Sequence, residues 1–426
     1  MPAPDPIALI LAGRYPDPDT GQLLRAESRA VVIEDSLADR EGELIAELGV
    51  GTHVAVLSDR TTHAVLGARV VRALAARFTV QSIVLDAGPV ADEATVERVL
   101  AALAPATDLV IAVGSGTLND VSKAVAFRRG CPQAIFATAP SMNGYTSLSA
   151  SITHDGIKRS LRTRTPIGVY FDLGVLAAAP HRLIRAGLGD SACRPTAQAD
   201  WLLSHLLLDR PYRTAPFALL ADDEPDLLSE SSALVAGDLG VMRHLVRILV
   251  LSGFGMTICN GSYPASQGEH LISHCIEMMR PSELPQTFHG EQIAVCTVAM
   301  AELQERLLER DRPPVLHPTH VDRDAVVRHF GPVIGDACWR ELELKRFDAA
   351  QTDTLNERLA TTWDAMRARM GAISVGASRL RALLAAAGAP IRPEELGWSP
   401  ELFDRARHHA REIRNRYTFL DLAADS

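Results

Sequence analysis

The sequence carries no CxxC pair: its six cysteines, Cys131, Cys193, Cys259, Cys275, Cys296 and Cys338, stand far apart. That scatter argues against a disulfide framework and for reduced thiols in the cytoplasm. It carries no excess of positive charge either, since 43 Lys and Arg against 52 Asp and Glu leave a net −9. Nucleic acid and anionic membranes are thereby disfavoured as main partners, although a local basic patch can still hold a small phosphate. The apolar stretch "IALILAG" is too short to span a bilayer and lacks a basic leading segment, so it reads as a packed terminal segment and no secretory leader is expected. Internal repeats and low-complexity tracts are missing too. What remains is an ordinary globular composition, 47% hydrophobic over 426 residues, long enough for two domains with full cores and compatible with a homo-oligomer.

From about Arg29 to Leu173, short β-branched runs alternate with longer helical patterns, which signals a parallel sheet covered by helices. The strand candidates are "AVVIED", "HVAVLSD", "QSIVLD", "DLVIAVG", "QAIFAT" and "IGVYFDL". From about Ala178 onward the strand signal disappears and patterns such as "PTAQADWLLSHLLLD", "GEHLISHCIEMM" and "GEQIAVCTVAMAELQERLLER" predict helices. The fold class is thus an α/β N-terminal domain with a Rossmann-like parallel sheet, residues 1–177, and an all-α C-terminal domain, residues 178–426. Ligands of open α/β sheets sit beyond the carboxyl ends of the strands, so the cleft between the domains is the expected site. The polar stretch "ADDEPDLLSESS" reads as a solvated loop.

Between a strand candidate and a helical pattern stands "GSGTLND", Gly114 to Asp120. Such a turn aims backbone N–H groups and a positive dipole end at an anion, but many strand-to-helix turns carry two glycines and bind nothing. Further on, "GSYPASQGEHLISHCIE" puts His270 and His274 four residues apart on one helical face, and His289 follows in "TFHGEQIAV". Each alone is as well read as a polar residue at a helix end. Asp190, in "AGLGDSACRPTAQADW", follows a glycine turn at an expected helix start, where it serves as N-cap or metal ligand. One carboxylate and two imidazoles leave open positions on a divalent metal for a substrate oxygen.

Together "AVGSGTLND", "ATAPSMNGYTS", "GIKRSLRTRTPIGVYFDL", "GLGDSACRPTAQADW", "GSYPASQGEHLISH" and "TFHGE" resemble the sn-glycerol-1-phosphate dehydrogenase family. That family is a branch of the iron-containing alcohol dehydrogenase and dehydroquinate synthase-like superfamily. The terminal "ARHHAREIRNRYTFLDLA" resembles its C-terminal helix, so the similarity runs from about Ala30 to Leu422. The resemblance implies a metal-dependent, NAD(P)-linked dehydrogenase that reduces dihydroxyacetone phosphate or a related carbonyl compound. It implies metal ligands at Asp190, His270 and His289, with zinc, iron(II) or nickel all compatible. Cofactor contacts fall on Gly114, Gly116, Thr117, Leu118, Asn119, Asp120, on Thr138, Ala139, Pro140, Ser141, and on Ser147, so "GSGTLND" becomes a pyrophosphate loop. Asp59, at the end of the second strand, is expected to accept bonds from the adenosine ribose, which favours NAD over NADP.

Substrate contacts are implied at Asn143, Asp190 and His274, with Asp190 and His274 in catalytic roles: the metal polarises a carbonyl oxygen, and His274 binds the substrate or relays a proton. Lys158, in the cationic run with Arg159, Arg162 and Arg164, is the preferred phosphate contact; a solvated basic face is the other reading of that run. Two departures stand out: "SMNGY" where members commonly read "SMDGY", and "SYPAS", with Tyr263, where they commonly read "SRPAS". Both remove a charge and leave the substrate open. The alternatives are a dehydrogenase of another polyol-like compound, a dehydroquinate synthase-like cyclase using NAD transiently, and a binding protein without turnover.

Overall fold

All six strand candidates become strands of one parallel sheet. A computed structural model describes residues 5–154, 157–279 and 284–426, with the side chains of 157–159 outside the description. In chain order the strands are β1 (Tyr15–Pro16), β2 (Leu23–Leu24), β3 (Ala30–Glu34), β4 (His53–Asp59), β5 (Thr79–Leu85), β6 (Leu109–Gly114), β7 (Gln133–Ala137), β8 (Ser149–His154), β9 (Ile157–Arg162) and β10 (Gly168–Asp172). The sheet order is β3-β10-β7-β6-β4-β5, every neighbouring pair parallel. The two-residue strands β1 and β2 pair with each other, as do β8 and β9.

Strand periodicity divides the core into two layers, because successive side chains point to opposite faces. Val54, Val56, Ile111, Val113, Phe136 and Tyr170 pack on one side, while Ala55, Leu57 and Val110 meet Val121, Val125 and Val96 on the other. Both layers are closed to water, and each buried Val or Leu contributes about 1.5–3 kcal/mol. The second core is helical, built around Leu203, Ile272, Val295, Met300, Trp363 and Phe419. No strand occurs after Asp172 among the described residues.

The chain divides into two compact units: the first holds the chain up to Gly187 and Thr214–Gly261, the second Leu188–Arg213 and Ser262–Ser426. The expected boundary at residues 177 and 178 misses the return of Thr214–Gly261 to the first unit. That segment contains the helix Leu239–Ile258, whose Arg243 donates to Ile33 O at 2.6 Å and whose Val250 O accepts from Thr146 Oγ1 at 2.6 Å. A helical pattern says that a face is buried, not which neighbour buries it. This helix is long and apolar enough to cross a membrane, but 67% of its most apolar window is buried inside the protein.

Two other expectations need correction. "ADDEPDLLSESS" is no solvated loop, for it holds the helix Glu224–Ser229 and buries Asp223, which accepts from Arg247 Nε at 2.8 Å and pairs with His244 Nδ1 at 2.8 Å. Asp190 does not start a helix. It lies two residues before the end of the helix His181–Ala192, because the glycines before it are helical rather than a turn.

Candidate functional site

The helix Gly116–Arg129 begins directly after β6, and Ser115, its N-cap, makes no side-chain cap bond. The first-turn N–H groups and the positive helix end are therefore left for an anion, as the pyrophosphate reading requires. Within "GSGTLND", Gly116, Thr117 and Asp120 are partly exposed, while Gly114, Leu118 and Asn119 are buried and shape the turn from beneath. Thr138, Ala139, Pro140 and Ser141 are all buried after β7. Ser147 is buried too, and its hydroxyl donates to Gly144 O at 3.0 Å. Asn143 is half-buried on the same segment.

A residue the sequence reading passed over organises this segment. Lys123, one turn further along the helix from Asn119, is buried, and its Nζ donates to Gly144 O at 2.6 Å and Ser147 O at 2.8 Å. Ser147 Oγ and Ser149 O lie 3.3 Å away. Burial pulls its pKa down to about 8, with Asp120 acting in the opposite sense. The lysine so fastens the Gly144–Ser149 backbone to the helix of the phosphate loop. The only sequence signal was its spacing, since positions 116 and 123 of a helix lie two turns apart on one face.

In the second unit the three implied metal ligands converge. Asp190, His270 and His289 each offer one ligand atom, all within 4.8 Å of one another. His270 Nε2 and His289 Nε2 both stand 3.7 Å from Asp190 Oδ1. That is long for a hydrogen bond and close to the separation of about 3–3.5 Å between donors that share one ion at about 2.1 Å. The donor set of one carboxylate and two imidazoles, two of the three residues buried, fits a divalent transition metal. His274 completes the group, its ring centroid 5.9 Å from both His270 and His289.

Local packing explains the convergence. A side chain at Gly189 would put its Cβ 2.1 Å from Gly290 O, so only glycine lets the Asp190 helix approach the helix His289–Leu308 this closely. His289 is the first residue of that helix. Glu269 fixes His270: its fully buried carboxylate pairs with His270 Nδ1 at 2.8 Å and accepts from Gln267 N at 2.7 Å. Burial pushes the Glu269 carboxyl up, but the bonds and charge from His270 and the backbone N–H groups outweigh it and leave the pKa lowered. With Nδ1–H committed to Glu269, the Nε2 lone pair faces Asp190. Asp200 anchors the start of the helix Gly268–Met279, which carries His270 and His274, accepting from Gly268 N and from Phe419 N, each at 2.9 Å. Burial and Glu269 push its pKa up to about 8, against those N–H donors. "GEH" was legible as a motif, yet nothing in the sequence said which acid would sit behind the imidazole.

The departure at Tyr263 also has a structural answer. Tyr263 stacks on Trp201 at 5.9 Å and 23°, and the Arg416 guanidinium lies 4.9 Å from its ring. Arg416 donates to Ser262 Oγ at 2.9 Å and to Ser266 O. Burial, then the neighbouring Arg414, pulls its pKa down to about 9. A guanidinium from the C-terminal segment thus lies beside position 263, although the sequence places it 153 residues away. Of the cationic run, Arg162 and Arg164 are exposed, as a solvated face requires. The side chains of Lys158 and Arg159 lie outside the described residues; their backbone belongs to β9, a strand the sequence reading did not anticipate.

Comparison with known proteins places the chain in a family. Residues 32–180 match the family model described as iron-containing alcohol dehydrogenase. The glycerol-1-phosphate dehydrogenase [NAD(P)+] of Bacillus velezensis is 31% identical over 87% of this chain and 84% of its own. The protein of the same description from Bacillus subtilis is 31% identical over 86% and 84%. Among solved structures, a glycerol dehydrogenase from Schizosaccharomyces pombe superposes with a TM-score of 0.63 over 93% of this chain and 87% of its own, at 18% identity, which supports the fold. The chain belongs to the glycerol-1-phosphate dehydrogenase family of the iron-containing alcohol dehydrogenases.

Proposed function

We propose that this protein is a metal-dependent NAD(P)-linked dehydrogenase that interconverts dihydroxyacetone phosphate and glycerol 1-phosphate. The observation that carries the reading is the Asp190–His270–His289 cluster, found in a chain 31% identical to relatives so described. Asp190, His270 and His289 would hold a divalent metal, which would supply Lewis-acid stabilisation of negative charge on a carbonyl oxygen. The chain's own residues do the rest. Glu269 keeps the His270 proton on Nδ1. His274 donates a proton to the reduced oxygen, a role supported by its ring lying 5.9 Å from both ligand imidazoles. Asn143 hydrogen-bonds a substrate hydroxyl.

The guanidinium of Arg416 beside Tyr263 favours a phosphorylated substrate over a neutral polyol, because it restores positive charge to "SYPAS". The cytoplasm is the compartment in which we place the reaction, consistent with six free cysteines. The test is an assay of NADH and NADPH oxidation with dihydroxyacetone phosphate against glyceraldehyde 3-phosphate, dihydroxyacetone and glycolaldehyde, with chiral analysis of the product. Highest kcat/KM for dihydroxyacetone phosphate and sn-glycerol 1-phosphate as product are expected. Preference for an unphosphorylated carbonyl compound would transfer the reading to another polyol-like substrate.

A further inference from the structure

The ends of β6, β4 and β5 lie side by side in that order. Leu57 pairs with Ala112 and Asp59 with Leu85, so Asp59 stands level with Gly114, and Asp86 follows at the next strand end. A dinucleotide whose pyrophosphate rests on the turn after β6 brings its adenosine ribose to the end of β4. Asp59, the acid expected to receive it, is turned inward. It is 8% exposed, its Oδ1 accepts from Thr62 N at 2.8 Å, and its own N–H donates to Thr62 Oγ1 at 3.0 Å, a capping box that starts the helix Arg60–Thr62. What these strand ends present to water is a different pair. Arg60 Nη2 meets Asp86 Oδ1 at 2.7 Å, with the two side chains 74% and 82% exposed.

An exposed ion pair of this kind contributes little and gives way readily. A guanidinium fork, by contrast, fits a phosphate with two parallel hydrogen bonds. We propose that Arg60 is the residue that binds the 2′-phosphate of NADP(H), and that its ion pair with Asp86 sets the choice between the two nicotinamide cofactors. Over an unphosphorylated ribose the pair stays closed; a 2′-phosphate draws Arg60 away from Asp86. Cofactor choice is then a competition between two anions for one cation, and Asp59 has only a structural part in it. The inference rests on the reading of this chain as an NAD(P)-linked dehydrogenase.

The test is titration of NADH and NADPH by nucleotide fluorescence at fixed ionic strength, on the parent, Arg60→Gln, Asp86→Asn and the double variant. All these side chains are exposed, and thermal melts establish that each variant is folded. The ratio Kd(NADPH)/Kd(NADH) is expected to rise at least about tenfold in Arg60→Gln, the effect of a lost charge-assisted contact. It is expected to fall about threefold in Asp86→Asn, and the double variant should match Arg60→Gln, because Asp86 acts only through Arg60. An unchanged ratio in Arg60→Gln, or a fall from Asp86→Asn that persists without Arg60, overturns the assignment while leaving the dehydrogenase reading intact. A parent that binds neither nucleotide overturns both.

Discussion

At Gly116 the protein itself leaves room for a side chain: an added Cβ would meet only Met142 Cγ, at 3.5 Å, an ordinary contact. A valine there should therefore cost the fold little, while its methyl groups obstruct close approach of a pyrophosphate to the loop backbone. Gly116→Val is expected to weaken NADH binding by at least about tenfold with Tm nearly unchanged; equal Kd values for parent and variant would reduce "GSGTLND" to a turn. At Asn143 the difference between an amide and a carboxylate is one of charge. An amide donates as well as accepts, a carboxylate only accepts, and a charged hydrogen bond is worth roughly 1.5–3 kcal/mol against about 1 for a neutral one. Asn143→Asp should raise kcat/KM for dihydroxyacetone phosphate by up to about tenfold if the substrate hydroxyl is its partner. Equal or lower kcat/KM, with metal and cofactor saturating, would mean that the amide already suits that substrate.

Elements transmit these residue effects, and the bond network around Lys123 is the clearest case. Its folded pKa, about 8, lies below the ordinary 10.5, so between those values the unfolded chain holds a proton that the folded chain has released. Stability contributed by Lys123 is accordingly lowest below pH 8 and rises as pH passes from 8 towards 10.5. Urea midpoints of the parent and Lys123→Met, compared at pH 7, 8.5 and 9.5, should move apart in the parent's favour; parallel curves would contradict the burial of the ammonium. How legible such elements were depended on where their information lay. The six sheet strands could be read because their β-branched runs form the packed surface of the sheet, buried in β4, β6, β7 and β10 and partly buried in the edge strands β3 and β5. The hairpin of β8 and β9 could not, since "KRSLRTR" shows charge where a half-buried strand shows alternation. Asp190 was legible as a ligand type but not as a residue inside a helix: Gly187 and Gly189 look like a turn until their close approaches to Pro140 O and Gly290 O explain them.

Across the whole molecule, each unit has its own core. The first is built on the parallel sheet with the helix Leu239–Ile258, the second on helices around Ile272, Val295 and Trp363. Asp190, His270 and His289 all belong to the second unit, whose apolar core remains when a metal is removed. Loss of the metal should thus abolish turnover without unfolding the chain, and His289→Ala should do the same through a single ligand. The dependence is most directly measured as the rate of NADH or NADPH oxidation with dihydroxyacetone phosphate by chelator-stripped protein, before and after addition of zinc, iron(II) or nickel. Circular dichroism recorded alongside establishes that the fold persists. The account predicts no turnover in the stripped protein and restoration by at least one of these ions in the parent but not in His289→Ala. A full rate in rigorously metal-free protein, or no turnover with any of the three ions, would contradict it.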